Sequence, residues 1–156
     1  MNIDYQEKVK TFLSKKEIAI AGVSRKPVGE VGNPIMKKFI EEGYTVYPLN
    51  PSGEVINSVQ SYKNLSALPQ KVDAVFIATN PKKSIEVVHD CIANEVRIIW
   101  FHKSFGNGSY NKEAADLAEK NGITVIHSGC PMMFISNADI AHRCFKHVFS
   151  FLGKFK

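Results

Sequence analysis

The stretch IAIAGVSRKPVGEVGNPIMKKFI, Ile18 to Ile40, sets a short apolar strand in front of three glycines, a hydroxyl and two cations. Gly22, Gly29 and Gly32 stand seven and three residues apart. That is wider than the GxGxxG turn, in which glycines let a helix N-terminus press directly onto a pyrophosphate because a Cβ would collide with the ligand. The longer loop leaving Gly22 and Val23 gives Ser24, Arg25 and Lys26 room to rise over a crevice before Gly32 returns the backbone to the helix. A hydroxyl and two cations suit a ligand with more phosphate than a dinucleotide carries.

The second strand tests the same idea independently. An NAD-binding unit sets Asp or Glu at the end of that strand to hold a ribose hydroxyl. This chain has Asn50-Pro51 there. A missing carboxylate favours a ligand with a phosphate on that ribose, a condition NADP also meets. Against a dehydrogenase stands the shortage of chain after the last strand for a substrate domain.

These residues need a scaffold that brings strand ends together, and the chain repeats one unit: apolar strand, turn, helix. Strands are expected at Ile18 to Val23, Thr45 to Leu49, Ala74 to Ala78, Ile98 to Phe101 and Thr124 to Ile126, nearly continuous apolar runs of the kind a parallel sheet covered on both faces demands. The helix after the first strand takes Asn33 as cap and Pro34 as its first residue, with Ile35, Met36, Phe39 and Ile40 inward and Gly43 at its end. Asn80-Pro81 opens the next helix in the same way, and a further one starts near Ser109. The segment between the second and third strands reads as mostly irregular, and the first 15 or so residues as a leader. The expected architecture is α/β, a Rossmann-like, doubly wound, mainly parallel sheet of about five strands, with the ligand outside its carboxyl ends. Besides the first two, those ends are Thr79-Asn80-Pro81, His102-Lys103-Ser104 and Ser128-Gly129-Cys130-Pro131. The whole chain, 1–156, reads as one domain closed by a helix from about residue 138.

The turn AGVSRKPVGEVGNPIMKKF resembles that of the CoA-binding domains of the succinyl-CoA synthetase alpha subunit and, more closely, of NDP-forming acyl-CoA synthetases. The similarity continues in GYTVYPLNP, VDAVFIATNP and GITVIHSGCPMMF, from Lys16 to about Phe134. The short length is similar to that of small stand-alone CoA-binding proteins of the YccU type. The resemblance implies a cofactor, coenzyme A or an acyl-CoA, with its 3′-phosphate and pyrophosphate against Gly22, Ser24, Arg25 and Lys26. It implies no ligase activity, because those synthetases use a second domain with a phosphorylated histidine. WFHKSFGNGS departs from the commoner stand-alone pattern, which has a glutamine near the position of His102.

Other groups narrow the function further. The five histidines show no metal-ligand spacing, and of them only His102 falls at a strand's carboxyl end. Cys91, Cys130 and Cys144 form no CxxC and read as reduced thiols. Cys130 precedes Pro131, where a turn needs a small residue, and could alternatively face the pantetheine arm of CoA. Twenty Lys and Arg against fifteen Asp and Glu give +5, which favours an anionic partner, but no Arg-rich or aromatic-interleaved stripe points to nucleic acid. The N-terminus lacks a signal-peptide core and no apolar run is long enough to span a bilayer, so a cytoplasmic protein is expected. A homodimer through the last helix is compatible with its apolar face. The reading is a non-catalytic CoA-binding protein. The competing classes are an NADP- or NAD-binding reductase or redox sensor, and a ligand-free interaction module.

Overall fold

The computed structural model describes residues 3–25, 31–103, 108–135, 147, 148 and 150. In chain order these form α1 (Ile3–Ser14), β1 (Glu17–Ala21), α2 (Gly32–Glu41), β2 (Thr45–Leu49), β3 (Val55–Ile56), β4 (Val59–Gln60), β5 (Ala74–Ile77), α3 (Pro81–Ala93), β6 (Ile98–Phe101), α4 (Lys112–Lys120) and β7 (Thr124–Ile126). Single 3-10 turns lie at Leu65–Ala67 and Pro131–Met133. Five strands make one parallel sheet in the order β2-β1-β5-β6-β7.

Alternation along each strand divides the core in two. Ile18 and Ile20 of β1, Phe76 of β5 and Trp100 of β6 face α1 and α2, whereas Ala19, Ala21, Val75, Ile77, Ile99 and Phe101 face α3 and α4. Both faces are covered, which is why the strands carry almost no polar residues. The chain passes from β1 to its neighbour on one side and later returns to β5 on the other, so β1 marks the point where the connections reverse direction. In sheets of this kind ligands bind in the crevice there, outside the strand ends.

Several elements differ from the expectation. The supposed leader is α1, whose Tyr5, Val9 and Phe12 fall on one helical face and are buried. Phe12 packs edge-on against Trp100 with ring centroids 5.3 Å apart, and Tyr5 Oη and Trp100 Nε1 both donate to the carbonyl of Ser128, at 2.8 and 2.9 Å. The stretch expected to be irregular contains the β3-β4 hairpin, closed by Asn57 and Ser58 at φ 49° and 65°, the left-handed pair that a tight two-residue turn requires. β1 ends at Ala21 because Gly22 turns to φ +96°, and β5 ends one residue early, at Ile77. The third and fourth helices open on asparagine caps: Asn80 as expected, but Asn111 in place of Ser109, whose N–H instead donates to the carbonyl of His102. Apart from residues 147, 148 and 150, the helix expected from about 138, and with it the expected dimer contact, lies outside the described residues.

Candidate functional site

The exit of β1 is held by backbone contact. A Cβ on Gly22 would stand 2.5 Å from the carbonyl carbon of Ala78, at the exit of β5, and one on Gly32 would stand 2.3 Å from the carbonyl oxygen of Gly22. Only hydrogens at both positions let the ends of β1 and β5 and the first turn of α2 meet. Val31, ahead of α2, offers no side-chain cap. Asn33, expected to be that cap, instead clasps the loop, its Nδ2 donating to Ser24 O at 2.6 Å and its Oδ1 accepting from Ser24 N at 2.9 Å.

Asn50 ties β2 to the same loop. Its Nδ2 donates to Val23 O at 2.7 Å, while its Oδ1 accepts from Ser52 N and Ser52 Oγ at 2.9 and 2.7 Å. The neutral amide therefore braces two strand ends at once, a role a carboxylate could fill only in part because it has no proton to donate to Val23.

These ends line one crevice of about 800 Å³, within the range of small-molecule sites. Gly22, Val23 and Ser24 follow β1, Asn50 and Pro51 follow β2, and Thr79 and Asn80 follow β5. Asn80 Oδ1 accepts from Lys82 N at 3.0 Å and caps α3, while Thr79 Oγ1 and Ser84 Oγ meet at 3.1 Å. Pro81 occupies the first turn of α3, its carbonyl accepting from Asn111 Nδ2 at 3.0 Å. Gly32 packs behind the wall, against Gly22. Arg25 is exposed and paired with Glu54, Nη1 to Oε2 at 3.3 Å. Lys26 lies outside the described residues.

Three predicted positions, His102, Cys130 and Pro131, stand apart from the described crevice walls, at the ends of β6 and β7. His102 is buried, its N–H donating to Ile77 O at 2.8 Å and its ring 6.1 Å from that of Phe76 in an edge contact. Burial holds its pKa below the ordinary 6.5, since a charged imidazole would be poorly solvated there. Cys130 is buried in an extended conformation ahead of Pro131, which begins the last 3-10 turn.

The crevice also has walls the sequence reading did not assign: Lys63 and Asn64 on one side, and Lys82, Lys83, Glu86, Val87 and Asp90 along α3. The α3 residues recur at helical spacing from Lys82-Lys83, a signal available once Pro81 is taken as the helix start. Asp90 is already engaged, its Oδ2 accepting from Leu65 N at 2.8 Å and its Oδ1 from Asn94 Nδ2 at 3.0 Å. Among the described residues no His, Cys, Asp and Glu cluster could hold a metal ion, and no helix is long and apolar enough to cross a membrane.

Comparison with known proteins gives consistent results. The alpha subunit of ADP-forming acetate–CoA ligase II from Pyrococcus furiosus is 27% identical over 137 residues, 83% of this chain and 30% of the subunit. The chain thus spans about a third or less of the curated ligase subunits it matches. A hypothetical protein from Pyrococcus horikoshii OT3 superposes with a TM-score of 0.74 at 30% identity, covering 85% of this chain and 92% of that one. The apo form of a dinucleotide-forming acetyl-coenzyme A synthetase 1 from Ca. Korarchaeum cryptofilum gives 0.61 at 26% identity, over 71% of this chain and 25% of its own. Over residues 16–136, which hold the five-stranded sheet and the described walls of the crevice, the chain belongs to the CoA binding domain family.

Proposed function

We propose that this chain binds coenzyme A, free or acylated, in the crevice at the ends of β1, β2 and β5, and holds it rather than transforming it. The observation that carries the reading is the contact of Gly22 with Gly32, which leaves the N-terminal turn of α2 beside the end of β1 with no side chain between them. The start of α2, packed directly behind Gly22, sets the positive end of the helix dipole close to the crevice wall, where it favours phosphate. Arg25, Lys63, Lys82 and Lys83 add cations around that point, and Asn50 keeps the end of β2 free of the carboxylate an NAD site would carry. Of the two carboxylates in the described walls, Asp90 is committed to the turn at Leu65, an arrangement suited to holding a ligand more than to proton transfer. The whole chain would act as one such domain. Neither Cys91 nor Cys130 is in a disulfide, which agrees with a cytoplasmic setting.

Thermal unfolding with CoA, acetyl-CoA, NADP, NAD and ADP side by side tests the proposal. A ligand at 100 times its Kd adds about 2.7 kcal/mol, which for a domain of this size raises Tm by about 5–10 °C. CoA and acetyl-CoA should produce that rise. Stabilisation by NADP without stabilisation by CoA would make this a reductase-type site and end the reading.

A further inference from the structure

We infer that Lys63 reads the 3′-phosphate of the ligand and is the residue that separates CoA from dephospho-CoA; the inference rests on the CoA reading of the crevice. Its position follows from strand pairing. Tyr62 is annealed to the end of β2, its N–H donating to Pro48 O at 2.9 Å and its carbonyl accepting from Asn50 N at 2.8 Å. Lys63 therefore follows directly on a residue fixed beside Leu49 and Asn50. In a doubly wound nucleotide site the ribose lies over the end of the second strand, where an acid meets its hydroxyls. Here that strand end has a neutral amide and, on the chain annealed to it, a cation. The replacement suits a ribose bearing phosphate.

The lysine is also guided. A Cβ on Gly53 would lie 3.4 Å from Lys63 Cγ and 3.7 Å from its Cε, so the aliphatic stem runs across the bare backbone of that turn, and the residue lines the crevice. Gly53 has φ +64°, a conformation that keeps side chains away from the stem. Across the crevice Lys82 and Lys83 occupy the first turn of α3, which has no acidic residue. Cations at a helix N-terminus oppose its dipole. Lys15, Lys37, Lys38, Lys71 and Lys112 all sit within 4 Å of a carboxylate. Among the described residues Lys63, Lys82 and Lys83 form no such pair. With Glu86 and Asp90 the carboxylates in the same walls and neither within 4 Å of these lysines, the three ammonium groups are free to take an anion bound between them, and a phosphate on the ribose would supply it.

The test is isothermal titration of the full chain with CoA and dephospho-CoA, for the wild type, Lys63→Met, Lys63→Arg and the surface control Lys120→Ala. Methionine keeps an apolar stem over Gly53 and removes only the charge. Lys63→Met should weaken CoA by about tenfold or more, the loss of one hydrogen bond between charged groups, while dephospho-CoA changes by less than about twofold. Lys63→Arg should retain most of the discrimination, and Lys120→Ala all of it. An equal loss for both ligands in Lys63→Met, or no loss for either, overturns the role of Lys63 and leaves the crevice a CoA site. A wild type that binds neither ligand overturns the CoA reading itself and the inference with it.

Discussion

Replacing Gly32 by alanine sets two effects of opposite sign against each other. By helix propensity alone the change is favourable, since alanine is better than glycine by up to about 1 kcal/mol in a helix interior and by less in a first turn. The structure predicts the reverse. The new methyl would lie 2.3 Å from Gly22 O and 2.8 Å from its carbonyl carbon, both backbone atoms that no rotamer change can move. Restoring an ordinary contact takes a retreat of about 1 Å by α2, which carries Ile35, Met36 and Phe39 away from the sheet they pack against. Overpacking of this kind costs about 1–3 kcal/mol, so after the propensity gain a net loss of about 1–2 kcal/mol remains, seen as a Tm lower by about 2–8 °C. CoA affinity should fall as well, because the helix start moves off the end of β1. Gly43→Ala is the control. At Gly43 the methyl meets nothing within 4 Å and φ is +79°, so it too destabilises, through backbone strain, but should leave CoA affinity unchanged. Urea unfolding and CoA titration of both variants decide the matter. A Gly32→Ala protein as stable as the wild type, with undiminished CoA affinity, would refute the claim that this contact builds the site.

Two further outcomes concern charge. Glu54→Gln releases Arg25 from its 3.3 Å ion pair and should tighten CoA severalfold at low ionic strength, with the gain fading as salt rises, whereas Arg25→Ala should weaken binding and leave the melting temperature near that of the wild type. Unchanged affinity in both variants would remove Arg25 from the ligand's surroundings. His102 should make the fold acid-sensitive. Its folded-state pKa lies below 6.5, so the unfolded chain binds the proton more readily, and stability is lost as pH falls from about 6.5 towards the lowered value and is unaffected above it. His102→Gln, which cannot titrate, should flatten the fall in urea midpoint between pH 7 and 5 relative to the wild type; parallel curves would contradict the assignment.

The sheet was legible because each parallel strand is a nearly unbroken apolar run, and the strand ends that line the crevice could be read from the same runs. Helix starts were less so. Asn33-Pro34 has the form of a cap followed by a first helical residue, yet the side chain of Asn33 serves Ser24, nine residues back, and the helix already begins at Gly32. Ser109 and Asn111 are equally good caps by type, and what identifies the cap is Asn111 Oδ1 accepting from Ala114 N at 3.0 Å. The β3-β4 hairpin escaped because strands of two residues carry no periodicity and its turn is Asn-Ser rather than Asn-Gly. Lys63 has no local signature either: its place depends on Tyr62 pairing with β2 from outside the regular strands. Tyr5, Val9 and Phe12 stand at helical spacing, yet the segment read as a leader, because the sequence does not show the surface they cover.

That surface bears on how the chain matures. The carbonyl that receives the Tyr5 hydroxyl lies 123 residues further along, and the ring that receives Phe12 belongs to Trp100. At synthesis rates of about 5–20 residues per second, α1 leaves the ribosome roughly 6–25 s before its anchor at Ser128 exists. Contacts of such high sequence separation form only after the closure entropy of the intervening chain has been overcome by other pairings. β1, β2 and β5 can therefore pair before α1 docks, although α1 is made before all three. Until then the apolar face of Tyr5, Val9 and Phe12 and the indole it covers lack their cover from each other.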